Sequence, residues 1–283
     1  MKNCINIKSN QNAKLYKLQG EKMKKFYITC LIFLSTLIAA EVDSTTDQCE
    51  ATNDITTEKV FTKDFSGTFN GQKLNYTASL KEKILYEKDN PKAELASFYY
   101  SEYTVSSDEN RPIMFIFNGG PGSASLWLHM GVLGPKIVKV PSDASDDGSP
   151  PYNIIDNNLS PLSETDMVFI DPIGTGYSRA LGCHDGEEFW GVNEDPKIIA
   201  EFIRRWITDN KRWNSPRYIL GESYGGIRGP LLVSELRSGD ITPIEINGLL
   251  MVAPASDYQY LVFHPGNNSP HYGFFPSYAA TAY

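Results

Sequence analysis

Residues 218–236 read YILGESYGGIRGPLLVSEL, and this stretch decides the fold. A short apolar run precedes Gly221 and an apolar periodicity follows Gly226, which predicts a strand, a sharp turn and a helix. A serine at the tip of such a turn takes a strained backbone conformation that projects its hydroxyl beside the helix N-terminus. Glycine is needed around it because a Cβ would collide with the neighbouring strand or helix. Ser223 is therefore a candidate nucleophile, and the alternative is an ordinary serine in a surface turn.

The size and charge of the chain limit the classes of protein to which it can belong. Its 283 residues, 41% of them hydrophobic and 12% aromatic, are enough to fill a sizeable core. The formal net charge is −8, and no long basic run lies beyond residue 25. Nucleic acid is therefore not an expected partner.

The N-terminal region has the pattern of a secretory signal. Lys24 and Lys25 precede an apolar run over residues 26–40, which ends in two alanines before Glu41. A membrane span needs about 20 apolar residues, so the run favours a cleaved signal peptide over residues 1–40 rather than a signal anchor. A true start at Met23 would explain the polar extension. We expect a secreted or lumenal protein, lysosome-like or vacuole-like, or periplasmic if bacterial, with no stable membrane insertion after cleavage.

Signal cleavage leaves two cysteines, Cys49 and Cys183. They can pair with each other in an oxidising lumen, one or both can pair with cysteines that this sequence does not contain, or they can stay free. Residues 41–64 are polar and threonine-rich, and we interpret them as a flexible leader. Residues 65–283 then form the catalytic domain.

Three stretches in which apolar and polar residues alternate open this domain, at residues 71–80, 83–86 and 96–105. They predict an antiparallel meander at a sheet edge. A continuous apolar strand over residues 113–117 follows, and it leads directly into the glycine-rich loop Asn118-Gly119-Gly120-Pro121-Gly122. Such a loop brings a backbone N–H close to a reacting carbonyl. The alternatives are a phosphate-cradling loop, which lacks its usual lysine here, and a plain turn.

The remaining chain alternates strands with helices. Residues 166–171 form a buried strand, and Asp195-Pro196 are expected to cap a helix whose apolar face runs to Ile207. The serine turn follows, and residues 246–253 read as another buried strand. This alternation predicts an α/β fold with a doubly wound, mainly parallel sheet. The aromatic segment 258–283 is interpreted as the start of an insertion that caps the site.

Three segments taken together resemble the serine carboxypeptidase family of α/β-hydrolases, of the peptidase S10 type: residues 118–122, 171–178 and 221–226. The resemblance covers the chain from about residue 65 to its end. It implies an α/β-hydrolase-type sheet, apparently truncated before its last strands, and it matches only the N-terminal part of the family.

By that resemblance, Ser223 is the nucleophile and the backbone N–H groups of Gly120 and Tyr224 form the oxyanion hole. The resemblance implies peptide substrates, no cofactor and no metal.

The same resemblance assigns Asn118 and Glu222 to binding the C-terminal carboxylate of a peptide, with Gly119 as a further substrate-binding residue. Glu222 has a second interpretation, as a carboxylate that only hydrogen-bonds the turn. Many family members carry another carboxylate-binding glutamate before a Leu-Gly pair. Here Gly131-Val132 stand at that place.

The expected triad acid and histidine are missing. In this fold both follow the nucleophile, each after a later strand. After Ser223 the chain holds only His264 and His271, both in the capping segment, while His129 and His184 precede it and are interpreted as structural. The expected function is that of a serine-type carboxypeptidase acting through an acyl-enzyme on Ser223. The alternatives are an esterase or acyltransferase on the same fold, and a noncatalytic truncated product.

Overall fold

The computed structural model describes residues 57–105, 110–141, 145, 149–238 and 242–283. These residues belong to one compact unit. The predicted signal peptide and Cys49 lie outside them. None of the helices in this part of the chain is long and apolar enough to span a membrane.

The described residues build one eight-stranded sheet and a small two-stranded ribbon. The sheet strands, labelled in chain order, are β1 (Val60–Phe69), β2 (Gln72–Tyr86), β3 (Glu94–Thr104), β4 (Ile113–Phe117), β7 (Asp166–Ile170), β8 (Arg179–Ala180), β9 (Arg217–Glu222) and β10 (Gly248–Val252). The ribbon pairs β5 (Lys136–Val138) with β6 (Ile154–Asp156).

In the described part of the chain, these strands are accompanied by the α-helices α1 (Leu126–Leu128), α2 (Glu194–Asp209), α3 (Gly225–Ser238) and α4 (Ser269–Ala282). Helix α1 runs directly into a π-helical turn, His129–Leu133. Short 3₁₀ turns lie at Pro161–Ser163, Gly186–Phe189 and Tyr258–Tyr260.

The strand order is β1-β2-β3-β7-β4-β9-β10, with β8 paired to β3. Strands β1, β2 and β3 form an antiparallel meander, and β7, β4, β9 and β10 run parallel to one another. The predicted meander and mainly parallel α/β sheet are confirmed. Because the parallel strands end at the same edge of the sheet, the loops after β4, β7 and β9 meet there.

The meander begins earlier, and is more continuous, than the sequence suggests. Strand β1 starts at Val60, inside the predicted leader, because its residues pair one by one with β2. Strand β2 continues through Lys81 and Glu82, where the sequence suggests a break. These charges are accommodated in the sheet: Lys81 forms an ion pair with Glu102, and Glu82 accepts a 2.7 Å hydrogen bond from the Ser97 hydroxyl.

The prediction of a buried strand over residues 246–253 is wrong in its burial. Strand β10 pairs in register with β9, but Leu250, Met251 and Val252 are 40%, 47% and 43% exposed. Within the described residues β10 has a strand neighbour on one side only, so its far side is uncovered.

Helix α2 packs its apolar face on the sheet, as the periodicity predicts. The rings of Phe202 and Phe98 lie 5.0 Å apart, and those of Trp206 and Phe115 lie 5.4 Å apart. The buried Trp206 indole also donates a 3.0 Å hydrogen bond to Glu102. This packing fixes α2 against strands β3 and β4.

Candidate active site

Ser223 lies at the turn between β9 and α3, and its backbone adopts φ = +58°. A non-glycine residue rarely occupies this left-handed region, so the turn is strained as the sequence predicts. The Ser223 carbonyl accepts 2.8 Å hydrogen bonds from the N–H groups of Gly226 and Ala255, which hold the strained residue in place. A Cβ at Gly221 would lie 2.6 Å from the Gly225 carbonyl oxygen, which explains the glycine there.

The glycine-rich loop after β4 lies directly against this turn. A Cβ on Gly119 would lie 2.4 Å from the Tyr224 amide nitrogen and 2.6 Å from the Glu222 carbonyl oxygen. Only glycine therefore allows the approach, and Gly120 is the next residue of the loop after this contact. Gly120 itself has φ = +105°.

Asn118 and Glu222 meet at the junction of these two segments. Asn118 Nδ2 donates a 3.1 Å hydrogen bond to Glu222 Oε2, while Asn118 Oδ1 accepts a 3.1 Å bond from the Leu128 N–H. The second contact fixes the orientation of the amide, so its NH₂ group faces the carboxylate. Asn118 is fully buried and Glu222 is half-buried, which leaves the carboxylate reachable from solvent.

A buried ion pair lies behind the glycine loop, and sequence reasoning missed it. Arg228 Nε donates to Asp195 Oδ2 at 2.7 Å, and Arg228 Nη1 donates to the Asn118 carbonyl at 2.7 Å. The guanidinium lies 5.2 Å and 5.3 Å from the ring centroids of Phe117 and Tyr224. Burial raises the pKa of the Asp195 carboxyl, and the Arg228 charge opposes that rise.

The predicted capping role of Asp195 is wrong. Helix α2 begins at Glu194, the N-cap position is Asn193, and no side chain caps the helix there. The Asp195 carboxylate turns instead toward Arg228. The signal that could have revealed the pair is Arg228 itself, a charged residue within the apolar run that follows the serine turn.

Asp171 ties the loop after β7 to the glycine loop. Its Oδ1 accepts a 2.8 Å hydrogen bond from the Ser125 N–H, and its backbone carbonyl accepts a 2.7 Å bond from the Ser178 hydroxyl. Burial raises the pKa of the Asp171 carboxyl, and the Ser125 bond opposes that rise. The three segments singled out by the sequence therefore form one connected unit.

The family model described as serine carboxypeptidase matches residues 71–264. The chain belongs to the serine carboxypeptidase family. Serine carboxypeptidase-like 2 and serine carboxypeptidase-like 5, both from Arabidopsis thaliana, are each 28% identical to it, over 173 and 181 residues respectively. These alignments cover 58% and 60% of this chain but 37% and 40% of the relatives. The chain thus spans about two fifths of the length of the curated relatives it matches.

The fold of this serine carboxypeptidase family member also matches a solved relative. A crystal structure of Kex1(delta)p, a prohormone-processing carboxypeptidase from Saccharomyces cerevisiae, matches with a TM-score of 0.50 and 21% sequence identity. The match covers 68% of this chain and 45% of that one. The similarity confirms the α/β-hydrolase fold.

None of the four histidines of this family member hydrogen-bonds Ser223 within the described residues. His129 stacks on Phe169 at 4.5 Å and shares a 2.6 Å hydrogen bond with the Tyr103 hydroxyl, and burial lowers its pKa to about 4. His184 lies between Glu188 and Glu87, 2.9 Å from each, and its hydrogen bonds to them raise its pKa. His264 and His271 are exposed.

The structure also locates two further features of this sequence. Gly131 and Val132, where many family members carry a glutamate, lie in the π-helical turn after α1. Cys183 forms a disulfide whose partner lies outside the described residues, so its pairing with Cys49 stays a prediction. The residues that the structure describes contain no cluster of potential metal ligands.

Proposed function

We propose that this chain carries the nucleophile and part of the substrate site of a serine-type carboxypeptidase, which hydrolyses C-terminal residues from peptides. Ser223 attacks the last peptide carbonyl, the C–N bond breaks and the C-terminal amino acid leaves, which gives an acyl-enzyme; water then hydrolyses this ester and releases the shortened peptide. Family membership and the strained turn at Ser223 support the assignment of the nucleophile.

The backbone N–H groups of Gly120 and Tyr224 are proposed to stabilise the oxyanion that develops on this carbonyl. The contact of Gly119 with the Tyr224 amide nitrogen supports this assignment, because it brings the two donor segments together beside the serine. Preformed donors of this kind lower the barrier because they need no reorganisation as charge develops.

The hydrogen bond between Asn118 and Glu222 is the observation that carries the peptidase assignment. It holds an amide donor and a carboxyl group side by side next to Ser223, at a distance of 3.1 Å from each other. A peptide's terminal carboxylate can accept from both groups when Glu222 carries a proton. Internal peptide bonds offer no such group, which would restrict cleavage to the chain end.

One observation favours a second candidate, an ester hydrolase or acyltransferase. The glutamate that many family members use for the carboxylate is replaced by Gly131-Val132, so that part of the site offers no carboxyl group. A site with a weaker hold on a carboxylate would accept acyl esters on the same nucleophile.

The experiment compares three substrates on protein expressed from its full coding sequence: an N-blocked dipeptide, the same dipeptide amidated at its C-terminus, and a short acyl ester. A carboxypeptidase cleaves the free dipeptide with a clearly higher kcat/KM than its amide. Equal rates on the free and amidated dipeptides, with faster ester cleavage, would establish the second candidate. A Ser223→Ala variant serves as the inactive control.

The proposed compartment is the secretory pathway, where the substrates would be secreted or lumenal peptides. The disulfide of Cys183 supports this placement, because disulfides persist in oxidising compartments.

A further inference from the structure

A single buried side chain contacts both segments of the proposed oxyanion hole. Arg228 lies in the first turn of α3 and is only 2% exposed. Its guanidinium lies 5.2 Å from the ring centroid of Phe117, the last residue of β4, and 5.3 Å from that of Tyr224. Its Nη1 atom donates a 2.7 Å hydrogen bond to the carbonyl of Asn118, the first residue of the glycine loop. Arg228 therefore joins the glycine loop to the serine turn.

The Asn118 carbonyl lies where strand pairing stops holding this part of the chain. The registers of β4 with β7 and with β9 end at or before Phe117, so neither includes Asn118. Gly119 and Gly120 follow, and glycine adopts many backbone conformations at little steric cost. The Asn118 carbonyl and the Gly119 N–H belong to one planar peptide unit. The bond from Arg228 therefore sets the orientation of the peptide unit that directly precedes the one carrying the Gly120 N–H.

Asp195 holds the guanidinium in the orientation that this bond needs. Its Oδ2 accepts a 2.7 Å hydrogen bond from Arg228 Nε, and the Asp195 residue is only 6% exposed. The guanidinium is planar and its donors point in fixed directions, so an acceptor at Nε also fixes the direction of Nη1. A lysine would place a point charge with rotatable donors there and would not fix both directions.

We propose that Arg228, oriented by Asp195, is a positioning residue of the reaction, which fixes the first peptide unit of the glycine loop so that the Gly120 N–H faces the developing oxyanion. The inference rests on the proposed function, because it takes Ser223 as the nucleophile and Gly120 as a donor. The alternative is an ion pair that only stabilises the fold.

The two roles differ in the kinetic constant that they affect. The Asn118 side chain has partners of its own, the Leu128 N–H and the Glu222 carboxylate. Contacts with the substrate's carboxylate should therefore survive the loss of Arg228, while the oxyanion donor is displaced. A displaced donor weakens binding of the transition state more than binding of the substrate, so kcat should fall and KM should change little.

The first experiment uses the double variant Asp195→Leu/Arg228→Met, in protein expressed from its full coding sequence. An apolar pair of similar volume should restore most of the stability that Arg228→Met alone loses, but it donates nothing to the Asn118 carbonyl. We expect kcat per folded molecule to lie about tenfold to a hundredfold below that of the unmodified protein, with KM within about threefold. The same factor should appear on a short acyl ester and on an N-blocked dipeptide, because the oxyanion forms in both reactions. Urea denaturation gives the folded fraction.

The second experiment uses Arg228→Lys, which keeps a cation opposite Asp195 but loses the fixed directions of the donors. We expect kcat to fall about tenfold, again with little change in KM. The matched control is Arg205→Lys, the same change in the more exposed pair with Glu201 on α2. This control should leave kcat unchanged.

Recovery of kcat together with stability in the double variant would overturn the proposal, and so would a full kcat in Arg228→Lys, which decides alone if the double variant does not fold. Failure of both variants to fold would confine the pair to stability and would also overturn it. The proposed function fails separately. Ester hydrolysis that depends on Arg228, without cleavage of any blocked dipeptide, would sink the peptidase assignment alone. Dipeptide cleavage at an unchanged kcat in the folded double variant would sink the positioning role alone.

Discussion

Asn118 and Glu222 lie at the ends of the neighbouring parallel strands β4 and β9 and are joined by a 3.1 Å hydrogen bond. The bond links the glycine loop to the serine turn through side chains, while Gly119 links them through close backbone contact. The Glu222 carboxyl group, which we propose binds the substrate, therefore has its position set by the same contacts that join the two segments of the proposed oxyanion hole. Changes at this junction should affect binding and catalysis together.

The first prediction concerns Gly119→Ala. Its new Cβ would meet backbone atoms at 2.4 Å and 2.6 Å, which cannot move like the end of a flexible side chain. We expect a loss of about 1–3 kcal/mol in the free energy of unfolding, as for overpacked sites, and loss of activity. Urea denaturation and kcat/KM, both measured on protein expressed from its full coding sequence, follow the two effects. Gly131→Ala is the matched control, because its Cβ would meet nothing within 4 Å. Comparable losses in both variants would contradict the close approach described for Gly119.

The second prediction concerns the Asp195–Arg228 pair. Arg228→Met leaves a buried carboxylate without its partner and should cost about 3–5 kcal/mol of stability. The double variant Asp195→Leu/Arg228→Met should recover most of this, because an apolar pair of similar volume is often neutral. Arg205→Ala breaks the more exposed pair with Glu201 and should cost under about 1 kcal/mol. Additive losses in the double variant would show that the two residues stabilise the fold independently.

The third prediction is that a protein consisting of residues 1–283 has no measurable peptidase activity. Ser223 has no histidine partner within the described residues, and triad members act as a unit, so only slow residual catalysis remains. The measurement is turnover of an N-blocked dipeptide by the purified fragment. Robust turnover that disappears in Ser223→Ala would show that a base is present among these residues.

The strand–turn–helix around Ser223, the glycine loop and the parallel order of the strands could be predicted because each follows from a local pattern. The start of β1 at Val60, the continuity of β2 through Lys81, and the Asp195–Arg228 pair could not. In each case the strand-pairing or charge partner of the residue lies far along the chain. The neighbouring residues in the sequence therefore do not reveal it. Asp195 shows the limit most clearly, since a local rule assigns it to a helix cap while its carboxylate binds an arginine on the next helix.

The fourth prediction concerns pH and His129. Its pKa falls from 6.5 to about 4 in the folded protein because burial penalises the charged imidazole. Between these values the unfolded chain binds the extra proton and the folded one does not, so stability is fully present above pH 6.5 and is lost as pH falls toward 4. The loss should be at most about 3 kcal/mol. Denaturant unfolding across this range should show a flatter profile for His129→Gln.

His184 contributes to stability with the opposite pH dependence and can be distinguished from His129. His184 has its pKa raised by Glu188 and Glu87, so its contribution is present at low pH and is lost as pH rises above 6.5. The two histidines therefore act in opposite directions and in different pH ranges. An unchanged slope between pH 4 and 6.5 in His129→Gln would assign the acid sensitivity to other groups.

The last prediction concerns peptide binding and Glu222. If the substrate's terminal carboxylate lies against Glu222, the two like charges cannot both ionise without a penalty, so the complex holds a proton between them. A protonated Glu222 donates to the carboxylate, whereas an ionised one repels it, so KM should rise as pH rises. The catalytic base acts in the opposite direction, because it must be unprotonated to accept the Ser223 proton. Activity should therefore peak on the acidic side of neutrality.

Glu222→Gln separates these effects, because glutamine keeps a donor toward the substrate and removes the titration. In protein expressed from the full coding sequence, its KM for an N-blocked dipeptide should vary less between about pH 4.5 and 8 than that of the unmodified protein, while cleavage of the amidated dipeptide changes little. The catalytic base must lose its proton in both proteins, so kcat should fall at acid pH in both. This shared fall serves as the control that the site is correctly assembled. Parallel KM profiles in the two proteins would show that Glu222 does not contact the carboxylate. Its role would then be confined to the hydrogen bond with Asn118 that orders the turn.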